Sequence, residues 1–305
     1  MRLEFDILTN GGGMGWFVKL GLVCAAILTC LGLGACAETE KPEVRRVLSA
    51  LDGSWLVVVK SACGGVLFES YAKVNGQNDY KKSSEKCRPG IYAGASAAFD
   101  GKSILASIYT KHDEIYVLSE IPVAPNGALG DGVMLTTSKN PLRFPVKVGN
   151  KYLYLHDISP DARGGQWEVL ENGSSIKIPA KGSWRYAYYP AKRSALVVKL
   201  NGRGERELVS ILGEKDLALE RLVIEKKIDW LSCEASGQCV GGGESGERYL
   251  IDATMKVTQL AEICTAGTRI ETWLNADNFL VRCQDSRGEY KTCSRGGSCA
   301  EVVLR

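Results

Sequence analysis

Histidine is nearly absent from this chain, two residues in 305. That leaves no basis for histidine-rich metal chemistry. A strong charge of one sign is also lacking: 38 Lys and Arg stand against 35 Asp and Glu, a net charge of +3. This excludes an acidic solvating tail and a strongly basic nucleic-acid binder. Proline is scarce, nine against 34 glycines, a balance that suits short strands and tight turns. Helical periodicity is sparse, and only residues 44–51 and 217–223 could each form a short helical turn or two. Cys-x-x-Cys occurs nowhere, which removes the usual zinc and redox spacings. What remains is ordinary globular composition, 45% hydrophobic and 24% charged. It suffices for a sizeable core in one large or two medium domains. Eleven cysteines are the outlying count.

Residues 20–35 read LGLVCAAILTCLGLGA, a run without charge that follows Lys19 and ends in small residues. A basic front, an apolar middle and a small-residue end make up a secretory signal peptide. The run is shorter than the ~20 apolar residues of a membrane-spanning helix. Leu33-Gly34-Ala35-Cys36 resembles the lipobox of bacterial lipoproteins. Cys30, preceded by Leu28 and Thr29, lacks the small residue before the cysteine. The resemblance implies that Cys36 receives a diacylglyceryl group and heads the mature chain after cleavage. Residues 1–35 are then a signal peptide, in which Met14 heads a leader of normal length, and 36–50 a lipidated tether. Ala37, rather than Asp, after the cysteine implies outer-membrane sorting within that family. Several acyl chains give the firm anchoring that one cannot. The expected place is the cell envelope, at the outer membrane or its periplasmic face. The expected partners are the membrane, through the anchor, and other envelope proteins, but not nucleic acid.

Cys24 and Cys30 would leave with the leader, so eight cysteines remain: Cys63, Cys87, Cys233, Cys239, Cys264, Cys283, Cys293 and Cys299. An even number in an oxidising compartment reads as four disulfides. Local spacing suggests Cys63–Cys87, Cys233–Cys239, Cys264–Cys283 and Cys293–Cys299. Cys283–Cys293 with Cys264–Cys299 is the open alternative.

Elsewhere the pattern is short β-branched and aromatic runs bounded by Gly, Asn and Asp, which reads as strands and turns. Hairpin starts at Trp55, Ile104, Leu153, Leu196, Leu231 and Leu280 are separated by steps of 49, 49, 43, 35 and 49. A period of ~40–50 residues with about four strands per unit is what a β-propeller blade needs. A pair of β-sandwich domains would also show short strands. Ala98-Phe99-Asp100-Gly101-Lys102-Ser103-Ile104-Leu105-Ala106, followed by Asp113-Glu114-Ile115-Tyr116-Val117-Leu118, resembles the TolB-like repeat. Looser copies begin at Tyr189-Pro190 and Trp273-Leu274. The full Ser-Pro-Asp-Gly turn of that family is missing. The expected fold is all-β: a disulfide-stapled β-propeller of about six blades over residues 51–305.

No catalytic set or cofactor site emerges. Gly241-Gly242-Gly243-Glu244-Ser245-Gly246 matches G-x-G-x-x-G in spelling but leads into a strand, so it reads as a loop. Gly94-Ala95-Ser96-Ala97-Ala98 lacks the last glycine and the helix of a nucleophile elbow. His112 reads as an exposed turn residue. His156-Asp157 ends a strand, and acid–base work there would need a partner within hydrogen-bond reach. Trp184, Tyr186 and Tyr188 would share one strand face, Arg185 and Tyr189 the other. Trp184, Arg185, Tyr186 and Tyr189 are thus candidate contact residues. Lys81, Lys82 and Arg88 form a candidate basic loop able to touch an anionic polymer or lipid. The reading favours a lipid-anchored binding or scaffolding module. An envelope hydrolase, marked by a cluster of carboxylates and histidine, and a glycan-binding surface protein using residues 184–189 are the alternatives. Cys36→Ser should abolish incorporation of labelled palmitate and leave the chain unprocessed; processed, membrane-bound Cys36→Ser protein would refute the anchor.

Overall fold

The computed structural model describes residues 42–305 except 51, 75–77, 99–100, 149, 158–164, 179–183, 190–193, 201–205, 213–218, 224–229, 234–238, 243–246, 253–255, 265–267, 276 and 284–288. Side chains at 148, 165–167, 176 and 178, and in the strands between 184 and 233, are likewise outside the description. The signal peptide and Cys36 therefore lie outside the described residues. Pro42–Arg305 forms one compact unit.

Among the described residues there are 24 strands and no helix. They run as six successive four-stranded antiparallel meanders. The first is β1 (Glu43–Ser49), β2 (Trp55–Ala62), β3 (Gly65–Lys73) and β4 (Asp79–Pro89). The second is β5 (Ile91–Ala97), β6 (Ser103–Thr110), β7 (Ile115–Pro122) and β8 (Val133–Ser138). The third is β9 (Leu142–Val148), β10 (Lys151–Asp157), β11 (Gly165–Glu171) and β12 (Ser174–Ile178). The fourth is β13 (Trp184–Tyr189), β14 (Ser194–Leu200), β15 (Arg206–Leu212) and β16 (Leu219–Val223). The fifth is β17 (Trp230–Cys233), β18 (Cys239–Gly242), β19 (Arg248–Ile251) and β20 (Val257–Gln259). The sixth is β21 (Thr268–Trp273), β22 (Asn278–Cys283), β23 (Tyr290–Ser294) and β24 (Cys299–Leu304). First strands meet in sequence: β1 contacts β5, then β9, β13, β17 and β21 follow, and β21 returns to β1. The sheets thus close into a ring with their first strands innermost, which is a β-propeller.

The ring follows from strands that are apolar on both faces. Trp55, Leu56, Val57, Val58 and Val59 of β2 are all at most 1% exposed. Successive strand residues point to opposite faces. Trp55, Val57 and Val59 accordingly join Ile104, Ala106 and Ile121 of the second sheet. Leu56 and Val58 join Leu274, Leu280 and Val302 of the sixth. Strand β22 does the same, with Phe279 and Val281 turned to Val240 of the fifth sheet. Each fully buried aliphatic or aromatic side chain contributes about 1.5–3 kcal/mol, so both faces of a middle strand favour closure.

The turn from first to second strand repeats. Ala50-Leu51-Asp52-Gly53-Ser54-Trp55 matches Ala98-Phe99-Asp100-Gly101-Lys102-Ser103. In both, the glycine N–H donates to the alanine carbonyl (3.0 Å) and the glycine has positive φ, +65° and +66°. Gly53 is doubly constrained, because a Cβ there would lie 2.8 Å from the Leu274 carbonyl oxygen of the sixth sheet. Trp55 Nε1 donates to the Gly101 carbonyl at 3.0 Å, tying one turn to the next.

Several sequence expectations are corrected. The described parts of the two stretches read as helical turns, 44–50 and 219–223, are not helical: β1 pairs with β2, and β16 with β15. The ring therefore begins at Glu43, within the stretch read as tether, because Val47 and Leu48 of β1 are buried against different sheets. Leu231 lies on β17, a first strand, and Val240 of β18 occupies the second-strand place. With Val240 the steps become 49, 49, 43, 44 and 40. Glycines disguised that strand: Gly241 and Gly242, read as loop, are its fully buried end.

Cys63–Cys87, Cys264–Cys283 and Cys293–Cys299 are bonded. Cys239 is also in a disulfide, and Cys233 is its opposite residue in the β17–β18 register.

The first and last sheets share a seam. Val303 and Leu304 of β24 pair in parallel with Asp79 and Tyr80 of β4. Arg305 N–H donates to the Tyr80 carbonyl (2.9 Å), Lys82 N–H donates to the Arg305 carbonyl (2.6 Å), and Arg305 reaches Asp79 at 3.2 Å. Removing residues 303–305 should cost about 2 kcal/mol, two backbone hydrogen bonds at ~1 kcal/mol each. Hydrogen exchange should accelerate in β4 and β24 and not in β10. Unchanged exchange at β4 would contradict a closing role for this seam.

Candidate functional site

The residues most suggestive of chemistry lie between the second and third sheets. Strand β10 reads Tyr152-Leu153-Tyr154-Leu155-His156-Asp157, so Tyr152, Tyr154 and His156 share a face. Tyr154 is packed with Leu118 of β7, which directs this face toward the second sheet. Glu168 of β11 is the cross-strand partner of Tyr154 and so lies diagonally beside His156, within side-chain reach. Ser138 ends β8 on the facing sheet.

These residues form one hydrogen-bonded chain. Ser138 Oγ lies 2.8 Å from His156 Nε2, and His156 Nδ1 lies 2.9 Å from Glu168 Oε1. Glu168 Oε2 accepts from Tyr154 Oη (3.0 Å) and Ser175 Oγ (2.8 Å). Burial by itself raises the Glu168 pKa, but the hydrogen bonds from His156, Ser175 and Tyr154 together hold it below the usual value. The carboxylate is ionised and can only accept, so Nδ1 carries the hydrogen. In the neutral ring Nε2 is then the bare nitrogen. Asn140 N–H already donates to Ser138 Oγ (2.9 Å), and the serine hydrogen is free to point at Nε2.

The carboxylate itself is part of a recurring arrangement. Glu69 of β3 contacts Lys60, Lys82 (3.1 Å) and Tyr71 (3.1 Å). Glu120 of β7 contacts Lys147 (2.7 Å), Tyr152 (2.5 Å) and Ser103 (2.5 Å). Each sits on a third strand and is held by a tyrosine hydroxyl and a lysine. In the third sheet, a histidine replaces the lysine. Another buried carboxylate, Glu271 of β21, is 1% exposed and faces Arg282 (3.0 Å) and Arg269 (3.3 Å).

Other expected site residues are scattered. Lys81, Lys82 and Arg88 are on strand β4, not in a loop, because β4 pairs with β3 from Gly65↔Pro89 to Lys73↔Tyr80. Lys82 meets Glu69 and Glu85, and the neighbouring Lys86 meets Asp131. Arg88 helps lower the Asp131 pKa, after the larger effect of Lys86. Trp184, Arg185, Tyr186 and Tyr189 belong to β13, an inner strand, and their side chains are outside the described residues. His112 is in an exposed turn. Residues 94–97 lie within inner strand β5, so no nucleophile elbow forms. Among the described residues no group of three or more His, Cys, Asp or Glu side chains is placed to hold a metal ion.

The outer edges of the sheets also differ. Strand β8, VMLTTS, ends its sheet and carries no charge, glycine or proline. Val133 and Met134 are 61% and 63% exposed. The edge strands β12 and β16 carry Lys177 and Glu220-Arg221, β20 has three residues, and β4 and β24 cover each other.

Sequence reasoning singled out His156 and missed Ser138 and Glu168. They stand 18 and 12 residues from it on three strands of two sheets, a relation with no fixed spacing. No family model matches the chain, and no curated protein matches it. Among solved structures it is similar to the Dos1 propeller (TM-score 0.47, 9% identity, 84% of this chain and 82% of that one). It is also similar to the WD40 domain of Toxoplasma gondii coronin (0.48, 11%, 87% and 71%). A functionally unknown protein from Desulfotomaculum acetoxidans gives 0.46, 11%, 84% and 84%.

Proposed function

We propose that the chain is a lipid-anchored envelope propeller that acts as a protein-binding module, with the open edge of β8 as its docking strand. The observation that carries this reading is the exposed, uncharged edge with Val133 and Met134 upon it. An unpaired edge offers a row of backbone donors and acceptors to an extended partner segment, and alternate side chains supply apolar contact. Natural sheets protect such edges with charge, proline or brevity, and β8 has none of these. Charged groups border its start: Lys86 meets Asp131 at 2.6 Å, and the Arg88 guanidinium lies against Gly132. An apolar centre with a polar rim is the usual anatomy of an interface. The leader residues ending at Cys36 support tethering to the envelope, where the partner is an envelope protein. Within this reading Trp184, Arg185, Tyr186 and Tyr189 remain candidate contacts for a ligand at the inner strands, and Lys81 for an anionic one.

A photo-crosslinking residue at position 134 should give discrete envelope adducts. The double change Val133→Lys and Met134→Lys, probed from position 137, should reduce them at least about tenfold, each charge costing roughly 1–2 kcal/mol of docking. The thermal midpoint should stay within a degree or two, since both side chains are exposed. Adducts that persist undiminished in the lysine variant would refute docking at this edge.

A further inference from the structure

The relay between the second and third sheets, which takes Ser138 from the end of β8, points to an activity beyond docking. We propose that Ser138, His156 and Glu168 form a nucleophile–base–carboxylate triad that hydrolyses carboxylic acid esters.

Three observations carry this. The order of contacts is that of a serine hydrolase: hydroxyl to Nε2 at 2.8 Å, Nδ1 to carboxylate at 2.9 Å. The hydrogen positions are already those required, with Nδ1 donating to Glu168 and Asn140 N–H occupying a lone pair of Ser138, so that its hydrogen turns to Nε2. Packing also does not account for the pair. The neighbouring carboxylates Glu69 and Glu120, also on third strands, are held by lysines and a tyrosine. A lysine would serve Glu168 equally well as a buttress. Histidine with a serine on its far nitrogen adds nothing to that role, but it makes a base and a nucleophile.

The group is reachable. The His156 side chain is 21% exposed, Ser138 is half-buried, and Lys139 and Asn140 beyond it are exposed. Tyr154 and Ser175 fix the far side of Glu168, so the imidazole is oriented before substrate arrives.

Ser138 Oγ would attack the ester carbonyl carbon while its proton passes to His156 Nε2. Glu168 stabilises the resulting imidazolium through Nδ1–H. The tetrahedral adduct collapses as the C–O bond to the alcohol breaks, and His156 returns the proton to the departing oxygen. Water then attacks the acyl-serine with its proton again taken by Nε2. The acid leaves, Ser138 is re-protonated, and no oxidant or cofactor is consumed. An ester is the natural substrate class, because an alkoxide departs with less help than an amide nitrogen.

The test is labelling of the purified full chain with a fluorophosphonate probe, with the modified residue located by mass spectrometry, alongside hydrolysis of 4-nitrophenyl butyrate. Label should fall on Ser138. Ser138→Ala should remove the label and lower hydrolysis at least about 100-fold. His156→Lys restores the cation used beside Glu69 and Glu120. It should keep the thermal midpoint and still abolish labelling. Glu168→Gln should slow the reaction and change its pH profile, with partial rescue by Glu168→Asp. Ser138 left unlabelled overturns the proposal, as does labelling that survives His156→Lys.

Discussion

Closure of the ring is the constraint on which everything else rests. A sheet whose middle strand reads Trp-Leu-Val-Val-Val, with all five side chains buried, has no face to give to water. It is stable only when covered on both sides, and its neighbours have the same need. No subset of such sheets satisfies all faces except a closed cycle. The seam between the sixth and first sheets is packed in the core through Leu56, Val58, Leu280 and Val302, much as the first and second sheets are through Trp55, Val57, Ile104 and Ile121. It differs only at the periphery, where β24 and β4 add a parallel pairing. The first and last sheets of the ring meet there, so the entropy of bringing together strands far apart in sequence is offset at that point.

Face-to-face packing also governs the polar groups. A carboxylate caught between two sheets is costly unless a cation and hydrogen-bond donors accompany it. Glu69, Glu120 and Glu168 answer this alike: each has a tyrosine hydroxyl and a basic partner, and in each the donors outweigh burial and lower the pKa. Glu271 relies on Arg269 and Arg282 instead. The arrangement is structural in origin, and at one junction exchange of lysine for histidine turns it into a group that can move a proton. A stiff frame makes such a change tolerable, because sheets pinned on both faces hold side chains in place without help from the site itself.

The periphery is under weaker control. Outer strands bury one face and leave an edge, and the chain treats those edges unequally, by mutual pairing at β4 and β24, charge at β12 and β16, and brevity at β20. Only β8 among the described outer strands combines six residues with no charge and two exposed apolar side chains. The inside of the ring supplies stability, and this difference at its outside is where recognition has room to arise.

The all-β class, the four-strand period and the cysteine pairs were legible in the sequence, because each depends on local spacing: alternation within a strand, a turn such as Ala98–Asp-Gly–Ser103, or cysteines at the two ends of a hairpin. Strand β18 was hidden, since its Cys-Val-Gly-Gly has the composition of a loop and becomes a strand only through burial on both faces. Strand β1 lies in a stretch whose sequence allowed a short helical turn, and only the structure assigns the adjacent apolar residues Val47 and Leu48 to different neighbours. The basic stretch at Lys81, Lys82 and Arg88 looked like a free patch until pairing brought Glu69 and Asp131 beside it. The relay was beyond sequence altogether. His156 could be noticed as one of two histidines, but Ser138 and Glu168 are common residue types made special by two sheets meeting face to face. Contacts along a strand are fixed by the sequence; contacts between sheets are fixed by the ring.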